Sequence, residues 1–532
     1  MLWVIIAAGI YQCAVTLNGK DNPKETAQLE KEEEGQNSEE VKLNEKTQTE
    51  NQAANITETP AQTETLPFDR NIRVLIKTEN FDDIFHKEIR LSGTEGLEIR
   101  LGGKSRIFSP NEECLITAEN LAGNTLIIRS GSGSSENGNG SSENGGSENE
   151  NGSSENSGSG NGRIRLLNVK RNGDAQYRGT IECYGTDSGI VVVNELTVEE
   201  YLYGVVPSEM PSSYPIEAQK AQAIGARTYA YFHKRGYAYP QWRAHVDDST
   251  TFQVYMNIPE TDEAKNAVDA TRDLVLLHNG TLIQSFYYST SGGYSAGNGA
   301  WSEGVFTQSE DDYMLETGED IFAENSSESE QKYKEYIDSG NPEDIEYSEP
   351  WYRWEYIKNF DADTVKQLFS RLYSMYQSQP YNVRIRSKLL GADKLMEETQ
   401  INDIRVLTRQ KSGLVSSLII ETPNFTVNVR TQNSIRQALA FTGDIVIKND
   451  GNAFTVGNIL PSAYFYIEKS FNKSAEKGNN LKGIVIRGAG LGHGAGMSQN
   501  GAKCLAQKGF TAEQILAYYY KSSIEAISDG SF

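Results

Sequence analysis

The chain has 532 residues, with 50 Lys and Arg against 73 Asp and Glu and a formal net charge of −23; that balance repels nucleic-acid phosphates and sets a nucleic-acid partner aside. Its length allows two or three compact domains, yet a hydrophobic fraction of 37% and a mean hydropathy of −0.55 imply that part of it stays unfolded. The four cysteines, Cys13, Cys114, Cys183 and Cys504, lie far apart without a C-x-x-C pair; isolated buried thiols are expected, with a Cys114–Cys183 pairing as the alternative, and neither a disulfide framework nor a cysteine zinc site is indicated.

Residues 1–17 begin with the apolar run LWVIIAAGIY, shorter than the roughly 20 residues of a full membrane span. An export signal or a membrane anchor is expected there. Ile10-Tyr11-Gln12 lacks the small residues that precede a lipidated cysteine, which argues against lipidation at Cys13. Residues 18–67 are Glu, Lys, Gln, Asn and Thr with few large apolar side chains, too few to repay the entropy of folding, and predict a disordered polar stalk. Short apolar alternations at 72–77, 97–101 and 125–129 then predict strands. Residues 131–162 repeat Ser, Gly, Asn and Glu, a composition that stays solvated and predicts a disordered insertion. Strand patterns resume at 163–167, 177–183 and 190–194, so residues 68–130 and 163–198 read as one β-rich N-terminal part interrupted by the repeat.

Residues 199–527 mix both element types. A helix is predicted over 215–234, with Pro215 suited to its first turn and Glu217 to its N-terminal dipole. Strands follow at 274–278 and 282–288, and an acidic stretch at 308–350 reads as a surface excursion. Later strands at 414–421, 425–429, 463–468 and 483–487 lead through a glycine-rich loop to a helix over 511–521. No regular βαβ rhythm appears, so the fold class is α+β, a β-rich N-terminal part joined to a mixed α/β catalytic part.

Three segments carry candidate chemistry. In YLYGVVPSEMP at 201–211, two prolines restrict the backbone around Glu209, and Val205, Val206, Met210 and the tyrosines offer an apolar surround. Such a surround raises a Glu from about 4.3 towards 6, at roughly 2–3 kcal/mol of ionisation free energy, and suits a general acid. The competing reading is an exposed Glu in a turn. On the following helix, Lys220 and Arg227 share a face over small residues and suit either a carboxylate or sugar ligand or plain solvation. Within about 4–6 Å of Glu209 either cation would lower its pKa.

The second segment, 286–297, contains Gly293-x-Ser295-x-Gly297. It continues as loop where a nucleophile elbow requires a helix. The third, GAGLGHGAGMSQNGA at 488–502, satisfies a relaxed dinucleotide fingerprint but lacks a phosphate-loop GK[ST]. Its glycines let the backbone wind round a cleft and present His493, Ser498 and Gln499; a tight packing loop with a satisfied histidine is the alternative. His245, Asp247 and Asp248 do not have zinc-ligand spacing and read as a polar turn at a strand edge.

In order along the chain, EYLYGVVPSEMP, EAQKAQAIGARTYAYF, DDSTTFQVY, YYSTSGG and GHGAGMSQNGA closely resemble the stage II sporulation protein D family, also called the amidase-enhancer domain family. The resemblance covers about residues 68–527, interrupted at 131–162 and 308–350. It implies an extracytoplasmic peptidoglycan lytic transglycosylase, membrane-anchored or secreted, that cleaves peptide-stripped glycan strands beside a cell-wall amidase during forespore engulfment or wall remodelling. Glu209 matches the family's catalytic glutamate, implied to protonate the glycosidic oxygen while the muramic acid C6 hydroxyl closes onto C1. Lys220, Arg227, Gln253, Tyr255, Ser291, Gly292, His493 and Gln499 fall inside the shared motifs and become candidates for lining the cleft. Some family members hold zinc through histidines and cysteines near the third motif; only His245 remains of such a set here, so no metal and no other cofactor are expected. The rival implication is a non-catalytic wall-binding module that stimulates an amidase.

Overall fold

The computed structural model describes residues 69–131, 162–472 and 480–527, apart from Ala122, Asp174, Glu303, Val305, Phe306 and Glu310. The expected signal or anchor, the stalk and the interior of the repeat insertion lie outside the described residues. Those described belong to one compact unit, and none of their helices is long and apolar enough to cross a membrane.

The N-terminal part is built from alternating strands. In Asn71–Ile76, Ile72, Val74 and Ile76 point into one core while Leu75 joins Val191 and Val193 on the other face, the period of two that a pleated strand imposes. Seven strands form one sheet in the order Val246–Asp247, Asn71–Ile76, Gly189–Thr197, Thr180–Thr186, Thr125–Ser130, Leu97–Leu101, Lys104–Phe108. A second sheet of four places Glu88–Gly93 between Cys114–Thr117 and Ile164–Leu166, with Gln176–Tyr177 at its edge. Both bury side chains in a common core. The chain leaves for the repeat beside Gly96, whose carbonyl accepts the Gly131 N–H, and returns beside Thr94, whose N–H donates to the Arg163 carbonyl. The repeat therefore departs from and re-enters one domain. The predicted 177–183 strand is broken at Gly179, which has φ +70° and lies so close to the Glu195 carbonyl that a Cβ would clash at 2.1 Å.

Helix Ile216–His233 joins this part to the rest. Ala223, Ala226, Ala230 and Tyr231 face the N-terminal core, while Ala218, Ala221 and Ile224 face the C-terminal one. Covered on both sides, the helix needs small side chains, and that is what the alanine run supplies. Beyond it, a five-stranded sheet runs Ala453–Thr455, Ile445–Lys448, Trp354–Asn359, Asn480–Gly488, Phe465–Asn472, and a four-stranded sheet runs Val383–Arg386, Thr426–Arg430, Val415–Glu421, Asp403–Arg409. Helices and mostly antiparallel sheets thus combine as α+β, as expected.

Two expectations need correction. The predicted strand over 282–288 is only Thr281–Leu282 and Tyr287–Tyr288, the latter paired in parallel with Met497–Ser498. The acidic stretch at 308–350 is not a surface excursion: Phe322, Tyr333 and Ile337 are buried in the C-terminal core. There the helix Ser327–Ser339 is held by a bidentate pair from buried Arg409 to Glu330, at 2.9 and 2.8 Å. Charges occupy its outer face and disguise the apolar stripe beneath.

Candidate functional site

Glu209 is not a turn residue. Thr197 and Glu200 make a reciprocal capping box that starts helix Val198–Glu209, and Glu209 is its last residue, with Pro207 inside the final turn. Ser208 donates to the Gly204 carbonyl at 2.6 Å and accepts from the Asn257 and Ile258 N–H groups, both at 3.1 Å. These bonds tie the helix end to the segment after Gln253. The same contact explains Gly204, where a Cβ would lie 2.5 Å from the Met256 sulfur and 2.7 Å from the Tyr255 ring.

The Glu209 carboxyl is 5% exposed. Its Oε1 accepts the Val254 N–H at 2.7 Å, and its Oε2 is buried without a hydrogen-bond partner. Burial pushes its pKa up to about 7, against weaker opposing pulls from the Val254 N–H, the Tyr287 hydroxyl and the Gln499 side chain. Its place at a helix C-terminus, the negative end of the dipole, acts in the same direction as burial.

The other sequence candidates fall into three groups. Gln499 touches Glu209 directly, while Gln253 and His493 hold its neighbour Tyr287. The Gln499 side chain donates to the Glu209 carbonyl at 3.0 Å; Gln253 donates to the Tyr287 hydroxyl at 3.2 Å and to the Ala226 carbonyl at 3.3 Å. His493 Nδ1 accepts the Ala495 N–H at 3.0 Å, so Nε2 carries the proton directed at the Tyr287 carbonyl, also 3.0 Å away. Burial, with Arg436 nearby, drops its pKa to about 3. It is a neutral latch that fixes the Tyr287 strand, with both nitrogens committed.

Ser291 and Gly292 lie one step away. The Ser291 N–H donates to Glu346 Oε2 at 2.9 Å, and the Gly292 carbonyl accepts from Tyr336 and Arg353 at 2.8 and 2.9 Å.

Arg227, Lys220 and Tyr255 do other work, which corrects their expected place in the cleft. Arg227 is fully buried and spent in a fork on Glu199 at 2.7 and 2.8 Å, with further bonds to the Val268 and Leu274 carbonyls. A buried guanidinium needs its charge and donors met, and Glu199 meets them. Lys220 pairs with Glu217 at 2.8 Å. Tyr255 packs among Tyr177 and Tyr201 and donates to Asn194 at 2.9 Å. Of the imagined metal trio, His245 accepts the Arg73 N–H at 3.0 Å and Asp248 takes Arg171 at 2.7 Å, so both are engaged in holding strands together. Cys114, Cys183 and Cys504 are free thiols.

Two residues that sequence reasoning did not single out belong to the site. Tyr287 sits inside the quoted YYSTSGG motif and lies beside Glu209. Glu346, from the acidic stretch, is 4% exposed; its Oε2 accepts both the Ser291 N–H and the Ser498 hydroxyl, the latter at 2.8 Å. Burial raises its pKa to about 8. No local signal separates it from its solvated acidic neighbours.

Residues 186–278, which hold Glu209 and its Val254 partner, match the Stage II sporulation protein family, and residues 305–496 match a domain of unknown function, DUF8618. The chain is 27% identical over 322 residues to the Amidase enhancer of Bacillus subtilis, covering 60% of this chain and 39% of that protein. It therefore spans about two fifths of that relative's length. It is 26% identical over 346 residues to Stage II sporulation protein D of Bacillus subtilis, with 62% of this chain and 75% of the relative covered. An uncharacterized protein of Brachyspira hyodysenteriae is 26% identical over 348 residues, covering 65% and 71%. Residues 186–278 thus match the Stage II sporulation protein family, and over roughly three fifths of its length the chain is similar to proteins named Amidase enhancer and Stage II sporulation protein D.

Proposed function

We propose that this chain is an extracytoplasmic peptidoglycan lytic transglycosylase that acts on peptide-stripped glycan strands during sporulation or wall remodelling, with Glu209 as its acid and base. The observation that carries the reading is a single buried carboxyl, poised at about pH 7, with one oxygen bound to the Val254 N–H and the other without a partner. A proton on Glu209 passes to the glycosidic oxygen as the bond to C1 breaks. The muramic acid C6 hydroxyl then bonds to C1 and returns its proton to Glu209, which closes a 1,6-anhydro ring and regenerates the acid. Oε2 is covered in the free chain, so glycan entry includes a shift of the side chains over it.

Glycoside hydrolysis generally needs a second, ionised carboxylate as base or nucleophile. Glu346, a second raised carboxyl, linked to the site through the consecutive residues Ser498 and Gln499, also holds its proton at neutral pH and is unsuited to either role. Closure by the substrate's own hydroxyl needs neither.

The test incubates the full chain, and Glu209→Gln, with peptide-free glycan strands, followed by mass analysis of the termini. Anhydro-muramic ends from wild type alone are expected. Ordinary reducing ends would identify a hydrolase. Retained binding without cleavage would favour the second reading, a wall-binding module that stimulates a cell-wall amidase, which the likeness to the Amidase enhancer supports.

A further inference from the structure

Two segments from the C-terminal half of the chain close over Glu209. Tyr287–Tyr288 and Met497–Ser498 pair in parallel, and each delivers a group to the acid. The Tyr287 hydroxyl and the Gln499 side chain both act on the Glu209 carboxyl, opposing the effect of burial, and Gln499 donates to the Glu209 carbonyl. We propose that Glu346 is a positioning residue for Glu209, its carboxyl clasping both segments so that Tyr287 and Gln499 stay against the acid. The inference rests on the lytic reading for the reaction it serves, and Glu346 lies outside the stretch matched to the Stage II sporulation protein family.

The first ground is where the two bonds fall. Glu346 Oε2 accepts the Ser291 N–H from one segment at 2.9 Å and the Ser498 hydroxyl from the other at 2.8 Å. Ser291 follows Tyr287 by four residues, and Ser498 immediately precedes Gln499. Ser498 is also the N-cap of helix Gln499–Gln507, its hydroxyl oxygen accepting the Gly501 N–H at 3.2 Å. The bond to Glu346 therefore fixes the start of the helix that carries Gln499. Without it the Ser498 hydroxyl is left with the Ser289 carbonyl at 3.4 Å, longer than a good O–H···O bond.

The second ground is that the clasp is itself held. Glu346 lies in a run of turns between helix Ser327–Ser339 and strand Trp354–Asn359, where Asp344 accepts the Tyr352 and Tyr336 hydroxyls at 2.6 and 3.1 Å. The Glu346 carbonyl accepts the Glu349 N–H at 2.9 Å, and Glu349 pairs with Lys503 of the same helix Gln499–Gln507 at 2.6 Å. Room for the carboxyl against the first turn of that helix comes from Gly501, where a Cβ would lie 2.8 Å from Glu346 Oε1. Side chains locked in this way can hold a neighbouring group to the fraction of an ångström that catalysis requires.

The third ground is chemical. Glu346 is buried and keeps its proton up to about pH 8, with Glu349 raising that value and Lys503 opposing it. At neutral pH it supplies an acceptor oxygen and no charge, a part that a glutamine amide oxygen can play.

The experiment compares the full wild-type chain with Glu346→Gln, which keeps an acceptor, and Glu346→Leu, which fills a similar volume without one. On peptide-free glycan strands, Glu346→Leu is expected to lower kcat about tenfold with KM within about twofold of wild type, while Glu346→Gln keeps about half of kcat or more. Glu209 is also read without turnover, from the pH dependence of the unfolding free-energy difference between each chain and the same chain carrying Glu209→Gln. The midpoint is expected near pH 7 in wild type and Glu346→Gln. In Glu346→Leu it is expected to fall by about half a pH unit or more, because loosened side chains admit water to a carboxyl held up mainly by burial.

If Glu346→Leu does not fold, Ser498→Ala, which withdraws one of the two donors, carries the test with a shift in the same direction. An unmoved midpoint with unchanged kcat in the variant that folds overturns the clasp, as does Glu346→Gln impaired as far as Glu346→Leu. Wild type that yields no anhydro ends sinks the lytic reading alone, and the midpoints then decide the clasp; anhydro ends with midpoint and kcat indifferent to Glu346 do the reverse.

Discussion

Glu209 keeps its proton up to about pH 7 because its surroundings remove more water than their hydrogen bonds replace, and that has a consequence for stability as well as chemistry. Its folded pKa of about 7 lies above the unfolded value near 4.3, so across that window the folded chain holds a proton the unfolded chain has lost. Stability contributed by the neutral form is present at low pH and lost as pH rises through 7. Glu209→Gln removes the titration. Its melting temperature is expected to exceed that of wild type increasingly from pH 5 to pH 8, by up to about 3 kcal/mol in unfolding free energy; a pH-independent gap would show that burial does not set the protonation state. Glu346 carries the same sign, and comparison with the variant cancels it. The carboxyl was legible in sequence as a proline-flanked Glu among apolar residues, but its burial was not. Arg227 and Lys220 show why: seven positions apart on one helix, they looked equivalent, yet Arg227 faces Glu199 in the interior and Lys220 faces Glu217 near the surface. Only the placement of a partner 28 residues upstream in the chain decides between a ligand-binding cation and a structural one.

At the scale of elements, the site depends on how the end of helix Val198–Glu209 docks against the chain around Tyr255. Gly204 is the point of closest approach. Gly204→Ala has favourable helix propensity, worth about 1 kcal/mol, but its methyl must displace the Met256 sulfur or the Tyr255 ring, a strain of about 1–3 kcal/mol in a packed core. We expect lower thermal stability and a fall in the apparent pKa of the pH–rate profile, because water reaching the carboxyl removes the dominant effect of burial and outweighs the weakened pull of the Val254 N–H. Equal stability and an unchanged profile would show that the contact gives way freely. Most strands were legible because their apolar residues alternate against one face. The helix carrying Glu209 was not, although its capping box, Thr197-x-x-Glu200, is a local signal that Pro207 obscured. The 308–350 stretch was misread for the opposite reason: its acidic outer face outweighed the few buried positions, Phe322, Tyr333 and Ile337, that bind it to the core.

Over the whole molecule, helix Ile216–His233 is shared by two large hydrophobic clusters, so the β-rich N-terminal part and the C-terminal sheets have a structural element in common. That sharing predicts cooperative unfolding, because losing the helix exposes both clusters. Ala223 faces the N-terminal cluster and is fully buried. Ala223→Leu adds three carbons to a fully buried position, with an expected cost of about 1–3 kcal/mol. If the two clusters unfold together, native-state hydrogen exchange in the variant will accelerate in Gly189–Thr197 and equally in Asn480–Gly488, although the substitution touches only the first cluster. Acceleration confined to the N-terminal strand would mean that the helix stays docked on the C-terminal sheets while the β-rich part opens alone. In that case Glu209, which belongs to the helix preceding Ile216–His233, would be separated from Gln499 during opening, and its pKa would fall as its carboxyl met water.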